Sequence, residues 1–140
     1  MTQNTGWSPR AIHSHKVNPA NDKLEITVRD EPGSGGASHC YKIGGYDASR
    51  NPSLDKFDDQ HGTATFIMFQ NGPINEAGVN GVTQEALLAI CIDRLECFQA
   101  GQYACRENAL ALTKLQEAQM WLQKRTRDRM VRGVEGTHIK

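Results

Sequence analysis

The feature that most constrains the fold is a long helix-forming run at residues 105–131. The run contains no Gly or Pro and is rich in Ala, Leu, Gln, Glu, Lys, Arg and Met, and Gly101 and Gly133 lie outside its two ends. At about 1.5 Å per residue a helix over this run extends roughly 40 Å, which is more than one small core can cover. We therefore predict one long helix, and the pattern of its side chains indicates what it packs against.

Two apolar stripes follow this predicted helix. The first has heptad spacing, which is typical of a seam between packed helices, and comprises Leu112, Leu115, Gln119, Leu122 and Thr126. The second lies across the helix and comprises Leu110, Lys114 and Trp121. We expect one stripe to pack within the chain and the other on a second subunit or a ligand. The alternative is that the second stripe completes the core of this domain.

Length and composition favour a single domain of globular type. The chain has 140 residues, a formal net charge of zero and a hydrophobic share of 38%. It has no apolar run long enough to cross a membrane and no apolar signal-peptide core. We expect a protein that stays in the cytosol and binds neither membranes nor duplex nucleic acid, because the neutral balance and few aromatics lack the footprint of a polyanion binder.

The sequence favours no metal and no cofactor. The chain has four cysteines, Cys40, Cys91, Cys97 and Cys105, and they form no CxxC pair. Free thiols are therefore favoured over a zinc site that combines cysteines with histidines. A polar loop at residues 51–62 contains Asp55, Asp58, Asp59 and His61. These side chains could bind a metal ion, but they lack the regular spacing of a calcium loop.

Three segments before the helices predict strands. Residues 23–30 alternate apolar and polar side chains, residues 38–46 form a second strand that Gly44 and Gly45 end or bulge, and residues 64–70 are the most apolar. Residues 31–38 are a Gly-rich turn that connects the first two strands. Residues 1–22 show no periodicity and are predicted to form a flexible arm.

A second helix precedes the long one. Thr83 is a suitable cap for a helix over residues 84–99, and Gly101 suits the turn that follows. Its predicted seam face comprises Leu87, Leu88, Cys91, Leu95 and Phe98. The predicted fold class is α+β, a small antiparallel β-sheet followed by a long antiparallel α-helical hairpin. Residues 23–140 are predicted to form one domain, with strands at about 23–70 and the hairpin at about 83–132.

Two segments could bind a ligand. Residues 71–82 are rich in Gly and Asn and expose backbone N–H and amide groups, although a plain crossover between sheet and helix is equally compatible with them. The end of the long helix carries one stripe of arginines, Arg125, Arg129 and Arg132. This stripe could bind phosphate oxygens, or it could simply be the solvated basic end of a helix. No nucleophile elbow, metalloprotease motif or phosphate-loop motif is present, so we predict a protein that is not an enzyme.

The helix segment RENALALTKLQEAQMWL resembles the hairpin shared by two groups of phage counter-defence proteins, the sponges of Thoeris signals and the anti-CBASS cyclic-nucleotide sponges. The run FQNGPINEAGVNGVT and the ending RGVEGTH are more similar to the first group. The resemblance covers residues 40–138 and leaves residues 1–29 without a counterpart. It implies a homo-oligomer, dimeric or hexameric, in the host bacterial cytosol. It also implies sequestration, without cleavage, of a cyclic ADP-ribose isomer or a cyclic di- or trinucleotide.

The resemblance also implies site residues. Arg106 and Thr113 match a polar pair that contacts cyclic oligonucleotides, and Phe69 and Asn80 resemble an aromatic and an amide placed around the adenine of the ADP-ribose ligand. Arg125 and Arg129 are chosen as phosphate ligands on charge and spacing alone. Two other functions stay open: a structural or regulatory hairpin oligomer that binds a protein partner, and an enzyme that processes a small molecule.

Overall fold

The computed structural model describes residues 6–53 and 62–140. The chain divides into two compact units, Met1–Phe69 and Gln70–Lys140. The first contains a β-sheet and the second a helical hairpin, so the predicted α+β fold class is confirmed. The boundary at Phe69 falls inside the range 23–140 that the sequence predicts as one domain. It arises because strands pair with strands in the first unit and the two long helices pack on each other in the second.

The described strands form one antiparallel sheet with the order β1-β2-β3-β4. Their bounds are Arg10–Ile12 for β1, Glu25–Val28 for β2, Cys40–Gly44 for β3 and Ala64–Met68 for β4. The last three lie inside the segments that the sequence predicts as strands. Val28 is opposite Tyr41 and Tyr41 is opposite Ile67, so these side chains share a face, on which Val28 is fully buried.

Residues 10–22, which lie in the segment predicted as a flexible arm, contain regular structure. Strand β1 pairs with β2, and a short helix α1, Pro19–Lys23, follows it. The Asn18 side chain accepts a hydrogen bond from the Asn21 N–H at 3.3 Å and so caps α1. A strand of three residues and a helix of five are too short to produce a periodic pattern, which explains why the sequence gives no sign of them.

The Gly-rich turn between β2 and β3 is closed by the Asp30 carboxylate. Its Oδ1 accepts hydrogen bonds from the N–H groups of His39 and Cys40, both at 2.9 Å. The Ser38 hydroxyl donates to the Asp30 carbonyl at 2.8 Å. These bonds satisfy backbone donors at the start of β3, so the turn connects two paired strands, as the sequence predicts.

Strand β3 ends at Gly44, as predicted, and Gly45 follows with φ of +92°. A Cβ at Gly45 would lie 1.8 Å from the carbonyl oxygen of Lys23. Only glycine fits this position, because both the positive φ and the close backbone approach exclude a side chain.

The second unit contains three described helices, α2 at Ile74–Ala77, α3 at Gln84–Gln99 and α4 at Arg106–Val131. The Thr83 hydroxyl accepts from the Ala86 N–H at 3.2 Å and caps α3. Cys105 Sγ accepts from the Asn108 N–H at 3.4 Å and caps α4, so the long helix begins one residue later than the predicted run. Both long helices are confirmed. No described helix is long and apolar enough to cross a membrane.

The predicted seam of α4 is the face that packs on α3. Its five members are all partly buried: Leu112, Leu115, Gln119, Leu122 and Thr126. Gln123 is also partly buried, and the other positions between Leu112 and Thr126 are exposed. The Gln119 side chain also donates to the Glu85 carbonyl on α3 at 3.4 Å. A heptad pattern therefore located the contact between the two helices correctly.

The predicted face of α3 needs a correction. Ile92, which lies outside the predicted face, is buried, whereas Cys91 and Phe98 are exposed. Ile92 lies four residues after Leu88 and three before Leu95, which continues the heptad spacing of the seam, whereas Cys91 is rotated by about 100° from it. The Phe98 ring instead lies 5.5 Å from the Arg94 guanidinium.

Candidate functional site

The segment at residues 70–82, which we call the 70–82 loop, is organised by the Gln70 side chain. Gln70 Nε2 donates to the carbonyls of Gly72 at 3.1 Å and Gly78 at 2.7 Å, and its Oε1 accepts from the Asn80 N–H at 3.0 Å. The backbone N–H of Gln70 donates to the Val82 carbonyl at 2.9 Å. Gln70 thus contacts the middle of the loop through its side chain and the far end through its backbone. The sequence gives no sign of this role, because an amide beside a Gly-rich loop has no periodic signal.

Asn80 completes this network of amides. Its Oδ1 accepts from the Asn71 N–H at 2.9 Å, and its Nδ2 donates to the Asn71 carbonyl at 2.7 Å. Asn80, the predicted ligand contact, therefore also has a structural role, because its bonds to Asn71 hold the two Asn-Gly turns of the loop together. A loop braced in this way presents its remaining backbone groups in one geometry, which is what tight binding of a small ligand needs.

Arg129 is committed to the segment after α4, residues 134–140, which we call the tail. Arg129 is 8% exposed, and its Nε lies 2.9 Å from Glu135 Oε2. Its Nη2 donates to the carbonyls of Val134 at 2.9 Å and Thr137 at 3.2 Å, and its Nη1 donates to the carbonyl of Ile139. The structure thus shows a tail anchor where the sequence suggests a phosphate ligand.

The tail also contacts the 70–82 loop. Gly136 lies against Ile74 of α2, and a Cβ at Gly136 would be 2.8 Å from Ile74 Cγ1. His138 Nε2 lies 3.5 Å from Glu76 Oε2, with both side chains mostly exposed. The end of α4 and the 70–82 loop are therefore connected through the tail.

The other basic residues at the end of α4 lie at the surface. Arg125 and Arg127 are exposed, and Lys124 forms an ion pair with Asp128 at 2.6 Å. Arg132 donates to the Lys140 carbonyl. Of the predicted phosphate-binding pair, Arg125 presents an accessible side chain, and Arg129 does not.

The predicted polar pair lies on α4. Arg106 is in the first turn and Thr113 follows two turns later, and both are exposed and off the seam with α3. Phe69 belongs to the first unit, where its ring packs edge-on against Tyr41 with centroids 5.6 Å apart and its N–H donates to the His39 carbonyl at 2.8 Å. The six predicted residues thus lie on the sheet, in the 70–82 loop and along α4.

The second apolar stripe of α4 is uncovered in a single chain. Leu110 is 47% exposed and Trp121 is 64% exposed. Further exposed apolar side chains on the two hairpin helices are Ile90, Phe98, Met120, Met130 and Val131. The stripe therefore does not complete the core of the described hairpin.

No group of three or more metal-ligating side chains is found among residues 6–53 and 62–140. The four cysteines are free thiols. The carboxylates and histidine considered above as a metal site, Asp55, Asp58, Asp59 and His61, lie outside the described residues.

Comparison with known proteins shows what this arrangement is similar to. Residues 63–127 match the family described as Acb2/Tad1, hairpin domain. The hairpin region of this chain is similar to the Acb2/Tad1 hairpin domain. The chain is also 55% identical over 82 residues to a protein of Bacillus phage SBSphiJ7 named Thoeris anti-defense 1. That match spans 59% of this chain and 58% of the phage protein. The resemblance to the anti-Thoeris family drawn from the sequence is confirmed.

Proposed function

We propose that this protein sequesters a nucleotide second messenger of host antiphage signalling and releases it uncleaved on denaturation. The observation that carries the proposal is the 55% identity, over 82 residues, to the phage protein named Thoeris anti-defense 1. The braced 70–82 loop supports it, since a loop held by its own amides recognises a small polar ligand at a low entropic cost. The proposed place of action is the host cytosol.

The proposed ligands are cyclic ADP-ribose isomers and cyclic di- or trinucleotides. Phe69 and Asn80 are proposed to contact the ADP-ribose class, and Arg106 and Thr113 the cyclic oligonucleotides. Arg125 is proposed to contact phosphate, because its exposed planar guanidinium can donate two hydrogen bonds to phosphate oxygens. In this proposal Arg129 does not contact the ligand, because its hydrogen bonds go to the tail.

The proposed assembly is a homo-oligomer, either a dimer or a hexamer, formed through the uncovered stripe of the hairpin. Trp121 is the strongest candidate for its centre, because large aromatic side chains dominate the energetics of interfaces and this one is 64% exposed in the single chain. A monomer would leave Trp121, Leu110 and the other exposed apolar side chains of the hairpin in water, and large exposed apolar patches often mark sites of protein association.

The decisive experiment is capture and recovery. The protein is incubated with cyclic ADP-ribose or with a cyclic dinucleotide or trinucleotide, freed of unbound ligand, and denatured, and the released nucleotide is identified by mass spectrometry. Recovery of intact ligand at a fixed ratio to protein is the expected result. Recovery of a cleaved product would indicate an enzyme, and recovery of no nucleotide would contradict the proposal.

A second candidate is a hairpin oligomer that binds a protein partner. The exposed stripe around Trp121 favours it, since such stripes also bind helices of other proteins. The capture experiment separates the two functions, because a protein adaptor takes up none of the nucleotides.

A further inference from the structure

Arg129 and the 70–82 loop both contact the tail, although they are far apart in the sequence. We propose that the tail is a strap that holds the 70–82 loop in its folded geometry, and that Arg129 is a positioning residue that anchors the strap. This inference rests on the proposed function, because Asn80 of that loop is a proposed ligand contact. It assigns the tail a role in ligand binding without any direct contact to the ligand.

The anchor is a buried cation that the tail surrounds. Four of the five N–H groups of an arginine are directed at tail residues, one to the Glu135 carboxylate and three to backbone carbonyls. A buried guanidinium requires such partners, because removing its charge from water is costly unless hydrogen bonds replace the lost hydration. Lysine would not serve here, because its three donors spread from a single nitrogen and do not match this planar arrangement.

The tail then contacts α2 through a glycine. Gly136 has φ of +81°, and a Cβ at this position would lie 2.8 Å from Ile74 Cγ1 and 3.3 Å from Ile74 Cδ1. The tail backbone therefore lies directly on the Ile74 side chain. The exposed pair of His138 and Glu76, at 3.5 Å, is a second and weaker contact between the same two segments.

Hydrogen bonds continue from α2 to the proposed ligand contact. The Gly78 N–H donates to the Ile74 carbonyl at 3.0 Å, and the Gly78 carbonyl accepts from Gln70 Nε2 at 2.7 Å. Gln70 Oε1 in turn accepts from the Asn80 N–H at 3.0 Å. A continuous series of contacts thus leads from Arg129 through Gly136 and Ile74 to Asn80. Releasing the tail removes one side of the packing around α2, so the loop opens more often while the helices stay folded.

Hydrogen exchange on the full-length chain tests this directly and without any ligand. The variant is Arg129→Gln, and its matched control is Arg127→Gln, which removes the same charge from an exposed position on the same helix. In Arg129→Gln the amides of Gly78 and Asn80 should exchange at least about tenfold faster than in the wild type, since the loss of even one hydrogen bond to a charged group shifts an opening equilibrium by about that factor. The amides in the middle of α3 and α4 should keep their rates, and Arg127→Gln should match the wild type.

Two results would overturn the strap. One is an unchanged exchange rate in the 70–82 loop of Arg129→Gln. The other is an equal acceleration of all amides of the hairpin, which would mean that Arg129 supports the global stability of this unit and not the loop in particular.

A second pair of variants tests the contact itself should Arg129→Gln fail to fold. Gly136→Ala places a Cβ against Ile74, so it should speed exchange in the loop. In the Ile74→Ala background the same substitution has room, so its effect should be several-fold smaller. An equal effect in both backgrounds would show that only the positive φ of Gly136 matters, and it would overturn the proposed contact.

Binding separates the strap from the function on which it rests. With cyclic ADP-ribose as the probe, Arg129→Gln should bind about tenfold more weakly, because the competent loop is populated less of the time. Weaker binding with unchanged loop exchange would mean that Arg129 contacts the ligand directly, and it would overturn the strap. A wild type that takes up no nucleotide but shows the predicted exchange pattern would contradict the proposed function and support the strap.

Discussion

The side-chain amide of Asn80 pairs with the backbone of Asn71 as a neighbouring strand would, through one donated and one accepted hydrogen bond. Asn80 Oδ1 accepts from the Asn71 N–H at 2.9 Å, and Asn80 Nδ2 donates to the Asn71 carbonyl at 2.7 Å. Only an amide side chain offers an acceptor and a donor at this spacing, because a carboxylate accepts at both oxygens. Asn80 therefore shapes the 70–82 loop in addition to its proposed contact with the ligand.

Asn80→Asp should destabilise the second unit by about 1–3 kcal/mol, because a carboxylate oxygen would then face the Asn71 carbonyl without a proton between them. Asn71→Asp is the matched control, since Asn71 contributes only its backbone to this pair. Urea denaturation of both variants measures the difference. Equal losses in free energy of unfolding would show that the pair does not stabilise the loop.

The long elements of this fold could be predicted from the sequence because their signals are long. The α4 run has no helix breaker, and its heptad stripe located the seam at Leu115 and Leu122 correctly. The error at Cys91 and Ile92 arose because both residues are apolar and adjacent, so composition alone does not separate them, whereas a strict heptad does. Strand β1 was missed because its three residues are held by pairing with β2 and not by a pattern of their own.

The candidate site was less predictable for a different reason. Its hydrogen bonds join residues nine or ten positions apart in a segment without periodicity, such as Asn71 with Asn80 and Gln70 with Asn80. Arg125 and Arg129 have the same side chain and are one turn apart in the sequence. Only the path of the tail makes Arg129 buried and leaves Arg125 exposed, and no local signal specifies that path.

The Asp30 turn should make the sheet sensitive to acid. Burial raises the pKa of the Asp30 carboxyl. Hydrogen bonds from the Cys40 and His39 N–H groups, together with the nearby His39 charge, lower this pKa by a larger amount. The net pKa is therefore below the ordinary 3.8. A carboxylate with a depressed pKa contributes stability above its unfolded pKa and loses that contribution as pH falls through the folded pKa. The sheet should therefore lose stability as pH falls below about 4.

Asp30→Asn tests this dependence. The variant should be less stable than the wild type at neutral pH, and its melting temperature should fall less between about pH 4 and about pH 2, because the titrating group is absent. Asp93→Asn, at an exposed position on α3, is the control and should follow the wild type. An Asp30→Asn curve parallel to the wild type would contradict the assignment of acid sensitivity to this turn.

Trp121 should be needed for assembly more than for folding of the chain. Because it is 64% exposed in the single chain, Trp121→Ala removes little packing there, but it should weaken a proposed interface by about 2 kcal/mol or more. Met120→Ala is the matched control, since Met120 is 65% exposed and about 100° around the helix. Sedimentation equilibrium measures both association constants. A wild type that is monomeric at micromolar concentration would refute the proposed oligomer.

Arg106 and Thr113 should act in recognition and not in folding. Both are exposed and lie off the α3–α4 seam, so Arg106→Ala combined with Thr113→Val leaves the packed face of the hairpin unchanged. A lost hydrogen bond to a phosphate is worth roughly 1.5–3 kcal/mol, so affinity for a cyclic di- or trinucleotide should fall by about one to two powers of ten. Binding of cyclic ADP-ribose, proposed to involve Phe69 and Asn80, should persist. Calorimetry with both ligand classes, beside a melting curve, decides the matter. Equal losses of affinity for the two ligand classes, or a large fall in melting temperature, would contradict the prediction that these side chains belong to a separate oligonucleotide site.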